Sequence, residues 1–365
     1  MLTEKIKISS WQATALLTVN IISTAILYPP GFVPQLAGRD AWISFALSGV
    51  FGLSIVYLVV LLCSRYPGLN LLQIGEAVLG RFLGKLVGFG FVLFFISTTA
   101  AIILEFSDFM VTAFMPRTPL AVFNILMILF SLYAVYLGLE VICRVSEAAV
   151  VPILVFFLFT MVFMIGEVEL PSLLPVLDAG FMPVLRGSLF FLSWTAQAFL
   201  LGMLYPYLVR PQQAAKIGIY AIAIISFYMI AGAIFLEGAL GSGQVARLLY
   251  PLLSFARLIK AGGFLERLEA VVILIWIFGQ YIKISLFIYF SAFSIRQVFG
   301  LADYRTFLWP LAALIAALSL TIFGNSMELE NFIKNILSPF VLFFALIIPL
   351  CLFGVTILKN SVGKI

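Results

Sequence analysis

Ten runs of about 20 mostly apolar residues constrain this chain more than any single motif does. A helix needs about 20 apolar residues to cross the hydrocarbon core of a bilayer. Charges, prolines and turn residues set the boundaries at Trp11–Pro30, Trp42–Cys63, Leu86–Phe114, Leu120–Gly138, Ser146–Gly166, Gly187–Leu208, Ala214–Leu236, Leu268–Val298, Thr306–Asn325 and Ile336–Leu358. Inside lipid only helices and closed barrels satisfy every backbone group, and runs of this length read as helices. Hydrophobic residues make up 64% of the chain and charged residues 10%, too few charges to cover a water-soluble fold of this size. The expected fold class is an all-α polytopic membrane protein, one integral membrane domain over residues 1–365. The third and eighth runs are long, which predicts tilt or bending.

With the N-terminus inside, twelve Lys and Arg fall in inner segments and eight in outer ones. Basic residues favour cytoplasmic loops, so both termini are expected in the cytoplasm. Four of the outer eight, Arg247, Arg257, Lys260 and Arg267, punctuate one amphipathic outer segment, 241–267. It reads as a lid over an outer vestibule or as a docking surface. The net charge of +5 is scattered between apolar runs, which does not describe a nucleic-acid surface. Cys63, Cys143 and Cys351 fall at or near the cytoplasmic side by this topology, and they form neither a disulfide nor a metal framework. Lys5 and Lys7 before an apolar run mimic a secretion signal, but the many spans that follow make it an uncleaved first span. No cofactor is expected. The chain has no histidine, which excludes H-E-x-x-H zinc chemistry, and no G-x-S-x-G elbow, so an enzyme is not expected.

Ten spans divide as five plus five, so the second half enters the membrane in the opposite orientation. That is the arithmetic of an inverted repeat, with halves at 11–166 and 187–358. Corresponding spans one and six share an irregularity. Span one carries Asn20, Ser23, Thr24 and Ala25, then Pro29 and Pro30; span six carries Ser193-Trp194-Thr195-Ala196-Gln197, then Pro206. Small polar residues in membrane helices are also common packing contacts. A helix break frees donors and acceptors that can hold a polar ligand. Backbone near Ile22–Ala25 and Trp194–Gln197 is therefore expected to be non-helical and to line one shared cavity.

Several stretches resemble a known family. AGRDAWIS (Ala37–Ser44), YLGLEVICRVSE (Tyr136–Glu147), LPSLLPVLDAGFMPVLRGS (Leu170–Ser188) and the long stretch Tyr250–Arg305 are similar to the membrane-embedded B subunit of Ger-type spore germinant receptors. That family is a branch of the amino acid–polyamine–organocation transporter superfamily. The resemblance implies a leucine-transporter-like fold with discontinuous helices one and six beside spans three and eight. It implies sensing of small nutrients, typically amino acids, in the inner membrane of a spore, with A-type and C-type receptor subunits as partners. The chain departs from the usual pattern at the implied ligand site: Ser23 and Ala25 stand where a G-x-G pattern is usual, and Ala196-Gln197 where a Gly-Glu pair is common. A neutral glutamine cannot act as a proton-coupled carboxylate. The same fold permits an amino-acid permease or a ligand-gated ion-conducting subunit.

Half-helix N-termini suit a carboxylate. If the outer half of span one begins near Thr24–Ile26, its N–H groups can take one. The candidate ligand residues are Ser23, Thr24, Ala25, Trp194, Thr195 and Gln197, with Trp194 as a lid or cation–π surface. Glu105 joins them as an acid inside span three, a functional candidate because buried charge is costly in a membrane. Asp108 and Glu237 lie near the boundary, where water can reach them. Glu140, Arg144 and Glu147 have the spacing of a structural ion-pair group. Lys283 stands near the centre of span eight, about 15 residues or about 22 Å from either interface, too far to snorkel. It must point inward. The expectation is that its nitrogen takes the place of a coupling cation and bonds the carbonyls freed near Ile21–Thr24. A buried acid or a water-filled crevice is the alternative partner.

Overall fold

The computed structural model describes residues 7–162, 165–258 and 268–362. Its long elements are helices: α1 (Ser10–Ala25), α2 (Pro29–Ala37), α3 (Ala41–Ser64), α4 (Leu71–Ala113), α5 (Leu120–Leu137), α6 (Leu139–Val162), α7 (Phe181–Thr195), α8 (Leu201–Leu204) and α9 (Ala214–Leu240). There follow α10 (Ser242–Val245), α11 (Pro251–Leu258), α12 (Leu268–Phe299), α13 (Leu308–Thr321), α14 (Ser326–Asn331), α15 (Leu337–Leu342) and α16 (Ile348–Val362). Nine helical runs among the described residues are long and apolar enough to cross a membrane. The exception among the ten expected spans is the first. It is split into α1, only 16 residues long, and α2.

Local chemistry explains the ends. Ser9 caps α1, and Gln12 reaches back to the Ser9 N–H at 3.0 Å, a reciprocal capping box. Asn70 and Gln73 repeat the device at the start of α4. Gly80, at φ +82°, interrupts α4, so the helix before it is a separate segment and the third span proper begins nearer Arg81. The chain enters α6 at Leu139, seven residues before the expected Ser146, and α7 at Phe181, six before the expected Gly187. The last span starts at Ser326 rather than Ile336. It contains two π-helical turns, Phe332–Ile336 and Phe343–Ile347.

α1 is buried from Ala13 to Ala25 and packs against α6, α9 and α12. α12 runs along α4, and α3 along α7 and α9. A helix apolar on all sides belongs in such a core. α5 instead turns Leu126, Phe130 and Tyr133 outward, as a lipid-facing helix does. The N-terminal segment is tied to the end of span six and to α6. Ile8 donates its N–H to the Tyr207 carbonyl at 2.8 Å, and Gln12 bonds Glu147 at 3.0 Å. Glu147 is thus engaged with α1, and the expected ion-pair group shrinks to Arg144–Glu140 at 2.6 Å, an exposed i, i+4 pair worth little. Of the outer segment 241–267, α10 and α11 are described. Residues 259–267, with Lys260 and Arg267, lie outside the described residues, as do Phe163 and Met164 of the fifth span.

Candidate functional site

The helix of span one runs unbroken through Ser23, Thr24 and Ala25, and the break comes just after them, at Ile26–Tyr28. The expected non-helical stretch Ile22–Ala25 is therefore corrected by about three residues. The cause is the proline pair. Proline has no N–H to offer the preceding turn, so α1 cannot extend into Pro29 and Pro30, whereas both fit the first turn of a new helix. The same pair corrects a second expectation. α2 begins with two residues that have no N–H, and the Gly31 and Phe32 N–H groups already bond the Tyr28 carbonyl at 3.0 Å. This half-helix N-terminus is poorly equipped to take a carboxylate.

Span six is not unwound either. Trp194 and Thr195 end α7, and Ala196–Leu200 continue as a 3₁₀ helix into α8. The expected non-helical Trp194–Gln197 is thus a local tightening in which i→i+3 bonds replace i→i+4 bonds.

One carbonyl left over near the end of α1 is that of Ser23, because the Leu27 N–H turns to the Thr24 carbonyl at 3.2 Å. Two side chains of α12 take it. Trp276 donates its indole N–H at 2.7 Å and Gln280 its amide at 3.2 Å. Lys283, 1% exposed, stands on the same α12 face, one turn further on. Its Nζ donates to Thr24 Oγ1 at 2.7 Å and to Gln197 Oε1 at 2.9 Å. Lys283 does lie at the span-one break, but it bonds two side chains and not the carbonyls expected for it. Trp194 Nε1 also donates to Thr24 Oγ1, at 3.1 Å, and Asn20 approaches Gln197 Oε1 at 3.4 Å. One hydroxyl and one amide oxygen thus tie α1, α7 with its 3₁₀ extension, and α12 together.

A small cleft opens beside this knot. Its polar lining is Thr24, Thr98, Glu105, Trp194, Gln197 and Lys283, and its apolar wall is the π-helical region of the last span, including Phe332, Ile333 and Leu337. Glu105 is 8% exposed, and its Oε1 and the Thr98 hydroxyl have no hydrogen-bond partner. Five of the eight sequence-designated residues, Thr24, Glu105, Trp194, Gln197 and Lys283, meet here. The other three do not. Ser23 lines an apolar groove on the other side of α1 with Ile22, Ile153 and Trp276, and its hydroxyl bonds back to the Asn20 carbonyl. Ala25 is fully buried. Thr195 points to α3, with its hydroxyl 3.1 Å from both the hydroxyl and the carbonyl of Ser48. Trp194 is a hydrogen-bond donor stacked on Phe191 rather than a face for Lys283, which lies over Phe287.

Asp108 and Glu237, expected near water, are also buried, at 6% and 1% exposure. Sequence reasoning missed Trp276 and Gln280. The signal was present in WIFGQYIK, where Trp276, Gln280 and Lys283 recur at i, i+4 and i+7 on one face. Among the described residues no group of three or more Cys, Asp or Glu is placed to hold a metal.

The family model described as Spore germination protein matches residues 7–328. The chain belongs to the spore germination protein family. It is 29% identical over 363 residues to spore germination protein KB of Bacillus subtilis (strain 168), covering 98% of this chain and 96% of that protein. It is 28% identical over 298 residues to spore germination protein YndE of the same organism, covering 80% and 81%. Among solved structures the fold is shared with Mhp1, a nucleobase-cation-symport-1 family transporter, at a TM-score of 0.65 and 13% identity over 94% of this chain and 78% of that one. It is shared also with MhsT in complex with L-phenylalanine, at 0.63 and 10% identity over 97% and 99%. The family is thus that of B-type germinant receptor subunits, and the fold is an all-α, multi-pass, leucine-transporter-like one.

Proposed function

We propose that this subunit senses a nutrient germinant, an amino acid or a similarly small zwitterion, bound in the cleft beside the span-one break. The observation that carries the reading is that Lys283 and Glu105 line one cleft. An ammonium has three N–H donors, and Lys283 spends two on Thr24 and Gln197. The third is free for a ligand carboxylate. Glu105, with an unpartnered oxygen, faces the same space and suits a ligand ammonium. Lys283 is then a fixed cation at the break, in the role a coupling ion plays in sodium-driven relatives of the fold. The receptor works in the spore inner membrane with both termini in the cytoplasm and with A-type and C-type subunits as partners.

Thermal-shift screening of the purified chain against common amino acids, sugars and nucleosides tests the reading. A ligand that binds the folded state raises the melting temperature by mass action. At least one amino acid should do so, and Glu105→Gln should remove the shift. A hit confined to sugars or nucleosides, or one untouched by Glu105→Gln, rejects the zwitterion site. The transporter fold favours a second reading, net uptake of the same ligand. Labelled ligand accumulating in proteoliposomes would make the chain a permease; binding without uptake makes it a sensor.

A further inference from the structure

Gly80 turns the start of α4 into a hairpin. The arm before it folds back on the helix that begins at Arg81. A Cβ on Gly84 would stand 2.4 Å from Glu76 Cα, and one on Gly88 would stand 3.8 Å from a Leu72 methyl. Only a residue without a side chain lets two backbones approach so closely. The tip of the hairpin points away from the protein. A Cβ on Gly80 would meet nothing within 4 Å, and Arg81 is exposed. Phe82, at 83%, is the most exposed large hydrophobic side chain among the described residues.

Two more helix ends are fastened to this hairpin. Lys359, near the end of α16, donates its Nζ to the Val78 carbonyl at 2.7 Å. The chain from Val78 to Arg81 spans at most about 11 Å. The end of α3 is joined to α16 by the Tyr66 and Thr356 hydroxyls, 3.0 Å apart, and by the Arg65 guanidinium, 4.8 Å from the centre of the Phe353 ring. The corner thus gathers Arg65, Arg81, Lys85 and Lys359. Glu76 is the one acid in the sequence between Arg65 and Lys85, and α16 carries none. The ion pairs among the described residues are Arg144–Glu140 and Lys334–Glu330, so no acid neutralises these four cations there. Lys359 spends one of its three donors on Val78; among the described residues the Arg81 and Lys85 side chains spend none.

We propose that this corner binds an anionic phospholipid, with Arg81, Lys85 and Lys359 at its phosphate and Phe82 and Leu83 among its acyl chains. Arg81 and Lys85, at i and i+4, share one helix face. The helix from Arg81 to Ala113 is about 50 Å long, about the thickness of a bilayer with its headgroups, so its first turn stands at headgroup level. That depth accounts for the mixture at the tip. A phenyl ring this exposed belongs out of water, and two unpaired cations beside it belong out of hydrocarbon; the boundary between the two suits both. A zwitterionic lipid would bring its own cationic group to three cations, whereas an anionic one balances them. All four basic residues fall in segments that the charge bias assigns to the cytoplasmic side. The site lies apart from the zwitterion cleft and does not rest on it.

The test uses the full chain in a neutral maltoside detergent, titrated with dioleoyl phosphatidylglycerol or dioleoyl phosphatidylcholine and followed by thermal melting and native mass spectrometry. Phosphatidylglycerol should raise the melting temperature and stay bound at about one molecule per chain; phosphatidylcholine should do neither at the same mole fraction. The double variant Arg81→Gln/Lys85→Gln should bind phosphatidylglycerol about tenfold more weakly. Arg210→Gln/Lys216→Gln removes the same charge from two exposed residues elsewhere on the expected cytoplasmic side, and should weaken binding by less than about twofold. Equal binding of the two lipids overturns the proposal, as does phosphatidylglycerol binding unchanged in the first double variant. An equal loss in both double variants overturns it too, because the attraction would then be diffuse. Glycerophosphoglycerol, the headgroup without its chains, should not replace the lipid; equal stabilisation by it would make the corner a free-phosphate site and sink the lipid assignment. If the first double variant does not fold, Lys85→Gln alone should lose about threefold, and an unchanged affinity there has the same force.

Discussion

In the first span the helix stops at Ala25 and resumes at Pro29, whereas in the sixth the chain passes from Thr195 to Leu201 by tightening into a 3₁₀ turn. The two stretches look alike in sequence, small and polar at the same depth. They differ in which residues can donate. Ala196 to Leu200 all have an N–H, so span six shortens its bonds and loses none. Pro29 and Pro30 have none, and the shift of the Leu27 N–H to Thr24 strands the Ser23 carbonyl. An unpaired backbone group in hydrocarbon costs several kcal/mol, so a partner must come from elsewhere. It comes from α12, through Trp276 and Gln280. The asymmetry makes span one the place where a helix of the second half reaches into the first.

The largest effect should follow from removing the residue that joins the two spans. Lys283→Met keeps the length of the side chain but takes away the donor to Thr24 and Gln197. Ligand affinity should fall at least a hundredfold, about 2.8 kcal/mol, measured as loss of the ligand-induced rise in melting temperature. A fully responsive Lys283→Met protein would break the comparison, because the joint between spans one and six would then have no part in binding.

Next comes backbone fit. In span one, a Cβ on Gly31 would stand 2.4 Å from the Leu248 carbonyl of the outer segment; in span six, a Cβ on Gly202 would stand 2.9 Å from a Val59 methyl. A methyl can give way by a few tenths of an ångström more easily than a backbone carbonyl. Gly31→Ala should cost about 1–3 kcal/mol. Gly202→Ala should cost less than about 1 kcal/mol. Paired thermal melts of the two variants check the order. The reverse order would mean that the outer segment is not held against α2.

These differences also mark what was legible in the sequence. Lys283 had to point inward, because neither interface was within its reach, and it does. The span count followed from apolar length, and the first span escaped it only through its division. The break was misplaced because Ser23 and Thr24 were read as interruptions, while in the structure Ser23 bonds back to its own helix and stays helical. The prolines were the real terminator, the first of them six residues beyond the stranded Ser23. Thr195 and Ala25 were assigned to the site by nearness along the chain. A helix turns each residue by about 100°, so neighbours face different partners, and Thr195 faces Ser48. Glu237 was placed in water because it lies near a helix end; its neighbourhood with Glu169 and Ser172 is a tertiary contact that no local pattern announces.

A smaller effect should come from the repair itself. Trp276→Phe keeps the ring against Phe106 and Phe109 but deletes the donor to the Ser23 carbonyl, leaving Gln280 alone. The expected loss is about 1 kcal/mol. In the sixth span, Ser338 donates to the Phe190 carbonyl at 2.9 Å, but that carbonyl lies inside α7 and also receives the Ser193 hydroxyl at 2.8 Å. Ser338→Ala should therefore be close to neutral. If both variants melt alike, the stranded carbonyl has found another partner, and span one is no more in need of repair than span six.

The smallest effect expected is that of sodium. If a sodium ion sat at the span-one break and were coupled to the ligand, ligand affinity would rise with sodium concentration. Here Thr24 Oγ1 and Gln197 Oε1, oxygens that could face an ion, already accept from Lys283 Nζ at 2.7 and 2.9 Å. A sodium ion entering the same place would meet a fixed nitrogen of the same role, and in the ammonium form a like charge at contact distance. Replacing sodium by potassium at constant ionic strength should change the ligand-induced melting shift by less than twofold. Lys283→Ala vacates the position, and partial recovery of binding by sodium in that variant would show that the lysine stands in for the ion. A strong sodium dependence in the wild type would place the ion elsewhere and leave Lys283 as a structural tie between spans one and six.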